Sequence, residues 1–329
     1  VASKLDARGE FPRDLFRLVG ELGFFGMRYP ASLGGSEADT VCLCVAAEEL
    51  ARGWLSLAAS AVMQALMGTW LVYRSGNDEL HERLLKPAIR GEKIGSICMT
   101  EPDAGSDLKS IRTRAEPTDG GYRISGKKTW ITSAPVADFF TVFAQAPGGL
   151  STFVVDARAE GVRVGRPIEK MGVRSSLTSE VFFEGAFVPA SHRVGAEGQG
   201  ADFLTEILPQ IRTVTGALAL GVARAAFEAA RRYAGERKQF GKAIGEFQAI
   251  KLKLASMATE VFASTQVVYR AAALADSGSG GSAVAAMCKS FASESALRVC
   301  EESARVHASY GYSTDYPVER YLRDVRFTL

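Results

Sequence analysis

Hydrophobic period changes twice along this chain, and the two changes bound what it can fold into. Up to residue 93, apolar residues recur at helical spacing. In Phe11–Gly26 they fall at Leu15, Leu18, Val19, Leu22 and Phe25, close to a period of about 3.6 residues. Tyr29-Pro30 and Leu33-Gly34-Gly35 end that segment. Val41–Arg52 then reads as an amphipathic helix with Glu48 and Glu49 on its polar side. Leu55–Tyr73 reads as a helix buried all round, and Asn77–Arg90 as one with a charged face. From Ile94 to about Gly195 the period is two. Tyr122–Ser125, Lys128–Thr132, Phe139–Gln145, Ser151–Asp156, Gly161–Gly165 and Ser179–Phe187 are short strands separated by Gly, Pro and Asp turns. Long helices return after Gly200. Phe203–Glu236 and Phe247–Ser277 are rich in alanine, which suits closely packed bundle helices. A flexible connector, Ser277–Ser282, leads to helices at Ala283–Tyr310 and Tyr316–Leu329.

The expected architecture is therefore α+β, with three domains. An N-terminal helical domain covers 1–93, a central antiparallel β-barrel-like domain 94–195, and a C-terminal four-helix-bundle domain 196–329. A hydrophobic content of 47% with 23% charged residues is that of a soluble globular protein. A net charge of +2 gives no reason to expect nucleic acid. Apolar stretches such as Val41–Ala47 are too short to span a bilayer, so no membrane span is expected. The five cysteines lack zinc-like spacing. Cys42 and Cys44 are expected to be buried free thiols, which points to the cytoplasm. Three scattered histidines make a metal site unexpected.

Chemistry concentrates in Thr100-Glu101-Pro102-Asp103-Ala104-Gly105-Ser106-Asp107 and in Trp130-Ile131-Thr132. Hydroxyls at Thr100, Ser106 and Thr132 bracket a glycine-containing turn, with an aromatic plate beside them. Hydroxyls and backbone N–H groups suit a heteroaromatic edge and a phosphate, and an indole suits a ring face. The combination suggests a bound flavin. Taken alone, Trp130 is equally a half-buried strand aromatic and Thr132 an ordinary strand residue.

With Arg237-Lys-Gln-Phe-Gly-Lys242, Phe247-Gln248 and Tyr316-Pro-Val-Glu-Arg-Tyr-Leu-Arg-Asp324 following in order, nearly the whole chain resembles the acyl-CoA dehydrogenase family. The resemblance implies FAD lying between the β domain and the C-terminal helices, contacted by Ile97, Met99, Thr100, Ser106, Trp130, Ile131 and Thr132. Arg237, Gln239, Phe240, Phe247 and Gln248 would reach the FAD of a neighbouring subunit, implying a homotetramer built as a dimer of dimers. Arg305, Val306 and Ser309 occupy a cofactor-contacting segment that in the family begins with Gln and contains two adjacent glycines, here Ala308-Ser309. His307 reads as a packing residue. Ser106 and Arg212 would face the substrate. Lys170–Thr178, with Arg174 and Ser176, is either a surface turn or the segment that contacts the pantetheine arm.

The implied reaction is α,β-dehydrogenation of an acyl thioester carried by coenzyme A or an acyl carrier protein. A carboxylate takes the α-proton and the β-hydrogen leaves as hydride to flavin N5, with an electron-transfer flavoprotein as acceptor. No residue of Val1–Leu329 fits the base. The family position on the long helix is Ile211, beside Gln210. The other family position falls about three residues past Leu329, where a glutamate is expected, on a polypeptide longer than Val1–Leu329. Glu101 is carried by the family without serving as base. A flavin oxidase or monooxygenase of the same fold and a non-catalytic acyl-binding paralogue are the alternatives. The acyl group's identity would depend on residues such as Val62, Met63, Gln64 and Met67.

Overall fold

The computed structural model describes all residues, Val1–Leu329. The N-terminal helices are α1 (Ala2–Arg8), α2 (Arg13–Glu21), α3 (Thr40–Gly53), α4 (Leu55–Val62), α5 (Trp70–Arg74), α6 (Asp78–Leu80) and α7 (Lys86–Ile89). α2 is shorter than its apolar pattern because Gly23, with φ +86°, turns the chain out of the helix. Asp39 caps α3, accepting the Cys42 N–H at 2.7 Å. The apolar run after Trp54 is not one α-helix. A wide π-helical turn at Met63–Gly68 separates α4 from α5. Its hinge is Gln64, whose amide donates to the Ala88 and Lys93 carbonyls at 3.0 and 2.9 Å and accepts the Gly95 N–H at 2.9 Å. Gln64 is thus structural and not part of an acyl pocket. Leu55–Arg74 is long and apolar enough to cross a membrane, unlike the shorter runs considered above, but 89% of its most apolar stretch is buried inside the protein, as core.

The β domain contains β1 (Gly95–Cys98), β2 (Arg114–Thr118), β3 (Gly121–Thr132), β4 (Phe139–Ala146), β5 (Gly149–Asp156), β6 (Val162–Val164), β7 (Thr178–Pro189) and β8 (Arg193–Val194). The sheet runs β6-β7-β3-β2-β4-β5-β8, with β1 also paired to β4. It is mainly antiparallel, but β1 and β2 both run parallel to β4. β4 pairs first with β1 and then, at Gln145, with β2. The intervening Met99–Thr113 is therefore an excursion from one sheet edge, and it carries Thr100–Asp107. Phe140, Phe153, Phe183 and Ile131 fill the interior of the curved sheet.

The C-terminal domain is α8 (Gly200–Glu236), α9 (Gln248–Asp276), α10 (Ser282–His307) and the short α11 (Val318–Asp324), with a small hairpin of β9 (Lys238–Gln239) and β10 (Lys242–Ala243) after α8. Only three helices are long, and α3 of the N-terminal domain packs along α8 and α9 beside them. Alanine permits the close approach. Ala217, Ala223, Ala226 and Ala230 of α8 share one core with Ala292 and Ala296 of α10 and Ala47 and Ala51 of α3. This contact corrects two expectations. Glu48 is buried, not on a solvent face, and is paired with Arg224 while accepting the Tyr269 hydroxyl at 2.5 Å. Cys42 is exposed while Cys44 is buried, because residues two apart on a helix point to opposite sides.

Candidate active site

The Met99–Thr113 excursion is held from below by a buried ion pair. Lys128, fully buried in β3, places Nζ 2.9 Å from Glu101 Oε1 and 3.0 Å from the Met99 carbonyl. Glu101 also accepts the Thr113 hydroxyl and N–H at 2.5 and 2.9 Å and the Arg112 N–H at 2.7 Å. Burial opposes the Glu101 charge, but the Lys128 ammonium and these donors outweigh it and hold the carboxyl below its usual range. An anchored, ionised Glu101 clamps the loop, its charge committed to Lys128. Lys128 was missed by motif reading. The only signal was alternation along the strand, which puts one of the adjacent Lys127 and Lys128 outward and the other inward.

Trp130 sits where β3 slips register against β7, between Lys128 and Ile131. Its φ is +57°, a left-handed conformation uncommon for a bulky residue, and its side chain is 58% exposed. The bulge turns the indole out of the sheet, while Ile131 points into the β core. Only the backbone of Ile131 is free to meet a ligand. Ile97 is likewise buried, whereas Thr100 and Ser106 lie on the outward loop.

Trp130 and Thr132 form one wall of a cleft of about 420 Å³. Lys170, Gly172 and Ser176 face them, and Arg323 and Phe327 close its end. The facing segment is also strained. Val173, a β-branched residue, has φ +44° and donates its N–H to the buried Asp324 Oδ1 at 2.6 Å. A Cβ on Gly172 would lie 2.8 Å from the Asp324 Cα, so only glycine lets the segment approach α11. Arg323 ties three parts together, donating to Asp6 at 2.9 Å, Glu319 at 2.7 Å and the Met171 carbonyl at 3.1 Å. Burial pushes the Asp324 carboxyl up to about 6. Asp324 belonged to a recognised motif, but nothing local revealed its contact with Val173. The residues fit a flavin: an outward indole and Thr132 line the same cleft, offering a ring face and a hydroxyl.

Met63, Met67, Tyr73, Met99, Leu108, Leu208 and Ile211 are partly buried apolar residues that pack against one core cluster. Of the pocket residues expected, Met63 and Met67 belong here, and Val62 is in the helical core. Ser176 is in the cleft, its hydroxyl accepting from Ser60 at 3.0 Å. Arg174 instead borders a neighbouring polar depression with Arg8 and Lys170. Arg212 donates to Ser282 at 2.9 Å, at the start of α10, and does not line the cleft.

The second expected group assembles elsewhere. Arg237 ends α8, and Phe240 tips the β9–β10 hairpin with φ +52° and 93% exposure. Phe240 rests edge-on against Phe247 at 6.1 Å, and Lys242 lies over that ring. Gln239 and Gln248 are exposed. Arg305 is paired with Glu301 and Glu302 at 2.6 and 2.9 Å, and Val306 is buried in the bundle, so neither side chain is free. Ser309 is exposed, and Ala308 adopts φ +52°, a region that favours the glycine it replaces. His307 stacks on Tyr233 at 4.3 Å, as a packing residue does. None of this group lines the Trp130 cleft.

Comparison with known proteins agrees with this geometry. The acyl-CoA dehydrogenase N-terminal domain matches residues 1–92, the middle domain 96–186 and the C-terminal domain 198–329. Benzylmalonyl-CoA dehydrogenase from Aromatoleum aromaticum is 59% identical over 100% of this chain and 88% of its own length. The butyryl-CoA dehydrogenase structure from Megasphaera elsdenii superposes with a TM-score of 0.95 at 32% identity, covering 99% of this chain and 88% of that one. A PigA complex with FAD gives a TM-score of 0.95 at 28% identity, over 99% and 87%. The chain belongs to the acyl-CoA dehydrogenase family, FAD-dependent oxidoreductases that act on the CH–CH bond of an acyl thioester.

Proposed function

We propose that the Trp130 cleft holds the flavin ring and that the Met63–Met67 wall receives the acyl group of a coenzyme A thioester. The observation that carries this reading is the Trp130 bulge, which spends backbone strain to expose an indole beside Thr132. FAD, when bound, supplies the acceptor for the substrate's β-hydrogen. The chain's own residues position and enclose. Trp130 covers a ring face, Thr132 and Thr100 offer hydroxyls to its edge, and Glu101–Lys128 keeps the loop in place. Met63, Met67, Met99 and Ile211 exclude water from the acyl group. Thioether side chains adapt to irregular shapes, and the benzylmalonyl-CoA relative supports an aryl-bearing acyl group here.

The α-proton requires a carboxylate base. Ile211 is apolar and Glu101 is committed to Lys128, so we assign the base to the position about three residues past Leu329. Arg237, Gln239 and Phe240 would complete the FAD site of a neighbouring copy in a homotetramer, a reading supported by the exposed Phe240. An electron-transfer flavoprotein is the proposed acceptor, and five free thiols support a cytoplasmic enzyme.

Anaerobic titration of the FAD-loaded protein with acyl-CoA tests this reading. The expected result is bleaching of the flavin absorbance, with slow reoxidation in air. Rapid reoxidation would assign an oxidase, and failure to bleach with any acyl-CoA would sink the dehydrogenase reading.

A further inference from the structure

The two walls of the Trp130 cleft are supported by different domains. Trp130 and Thr132 stand on β3 and are carried by the β sheet. The facing residues Gly172, Val173 and Ser176 precede β7, yet they rest on the C-terminal helices. Val173 is 4% exposed, and its side chain belongs to the same core as Val299, Cys300 and Val325. Arg323, Arg326 and Phe327, at the end of the cleft, lie in α11 and the turn after it. The distance between the indole and the opposite wall is therefore set by where α11 holds residues 171–173.

α11 holds them by the backbone, on both sides of Gly172. Arg323 donates to the Met171 carbonyl at 3.1 Å, and Asp324 accepts the Val173 N–H at 2.6 Å. Gly172 has no positive φ, so its requirement is the close approach itself: a Cβ there would meet the Arg323 carbonyl. The two grips differ in kind. Arg323 is shared with Asp6 and Glu319, whereas the Asp324 carboxyl is 1% exposed and makes one side-chain hydrogen bond, the one to Val173. Burying a carboxyl is costly, and here the return is a strong bond to a single backbone N–H. That bond helps to hold Val173 at φ +44°, a conformation uncommon for a β-branched residue. Without it, the wall opposite Trp130 is free to relax.

We propose that Asp324 is a positioning residue for the flavin: through the Val173 N–H it fixes the width of the Trp130 cleft and thereby FAD affinity. The proposal rests on the reading above that this cleft holds the flavin ring, and it adds the group that sets the wall facing the indole. A ring that stacks on Trp130 needs the opposite surface at a defined distance, because dispersion contacts fall off within an ångström. The carboxyl acts through Val173 and does not itself line the cleft.

FAD titration of the full chain, followed by flavin fluorescence, tests this. Asp324→Ala should weaken FAD binding roughly 10- to 100-fold, the range for loss of a hydrogen bond to a charged group. The FAD that still binds should show a shifted absorbance band. Asp324→Asn keeps an acceptor for the Val173 N–H and should stay within roughly threefold of wild type. Gly172→Ala forces the wall off α11 with the carboxyl intact, and should weaken FAD binding as Asp324→Ala does. It answers the question even if Asp324→Ala does not fold. Glu48→Ala breaks a buried ion pair outside the cleft and controls for lost stability, so its FAD affinity should match wild type. An equal loss in Glu48→Ala overturns the proposal, as does an Asn variant no better than Ala. Wild-type affinity in both Asp324→Ala and Gly172→Ala, with Trp130→Gly impaired, overturns it too. Full affinity in Trp130→Gly as well would instead refute the cleft as the flavin site.

Discussion

The Trp130 cleft and the Phe240 hairpin both present an aromatic side chain in a left-handed backbone conformation, yet they are supported in opposite ways. Behind Trp130 the chain is locked by buried polar contacts: Glu101 with Lys128, Asp324 with the Val173 N–H, and Arg323 with Asp6. Behind Phe240 there is a two-strand ribbon and one edge-on contact with Phe247. Leu252, Phe262 and Met287, on α9 and α10, are also largely exposed. The cleft is a site that one chain prepares by folding. Under the proposed assembly the hairpin would instead bind against a second copy, together with the exposed apolar side chains of α9 and α10.

The sharpest way to break this comparison is Lys128→Met. It leaves the Glu101 charge buried and unpaired, and should cost about 3–5 kcal/mol in urea unfolding. A loss below about 1 kcal/mol, the range of a surface pair, would show that the cleft is not internally locked. Asp324→Asn comes next and works through pH. Burial raises the folded pKa to about 6 from 3.8, so the folded state binds this proton more tightly. The resulting stabilisation is complete below the unfolded value and is lost as pH rises through 6. Wild-type stability relative to the Asn variant, which keeps an acceptor for Val173, should fall across that window by up to about 3 kcal/mol. A flat difference would rule the assignment out.

Trp130→Gly separates stability from binding. Glycine removes the strain of a positive φ, so stability should equal or exceed wild type, while FAD affinity drops by about 1–3 kcal/mol from lost stacking. Equal FAD affinity in a binding titration would mean the indole is not the ring cover. The smallest folding effect belongs to Phe240→Ala, expected to change unfolding free energy by less than about 0.5 kcal/mol. Sedimentation should nonetheless show weakened assembly. A large folding defect with intact assembly would erase the contrast between the two regions.

Much of this was legible before the fold was known. Helical and strand periods marked the three domains because they follow from backbone geometry within one element. Trp130 and Thr132, singled out for their chemistry, lie together in one cleft. The errors share a cause. Glu48 reads as solvent-facing on its own helix and is buried only because α8 and α9 arrive with Arg224 and Tyr269. Burial of the Ile131 and Val306 side chains in the core likewise depends on which layer packs behind each.

Which segments would be helix or strand, and their helical, β and helical order, were set by local patterns that any stretch of this chain displays on its own. Which charges are paired and which residues face the cleft were decided by tertiary structure. Lys128 meets Glu101 across 27 residues, and Val173 meets Asp324 across 151. An electrostatic partner is chosen by distance and dielectric in space, and the chain order does not encode either until the layers have packed.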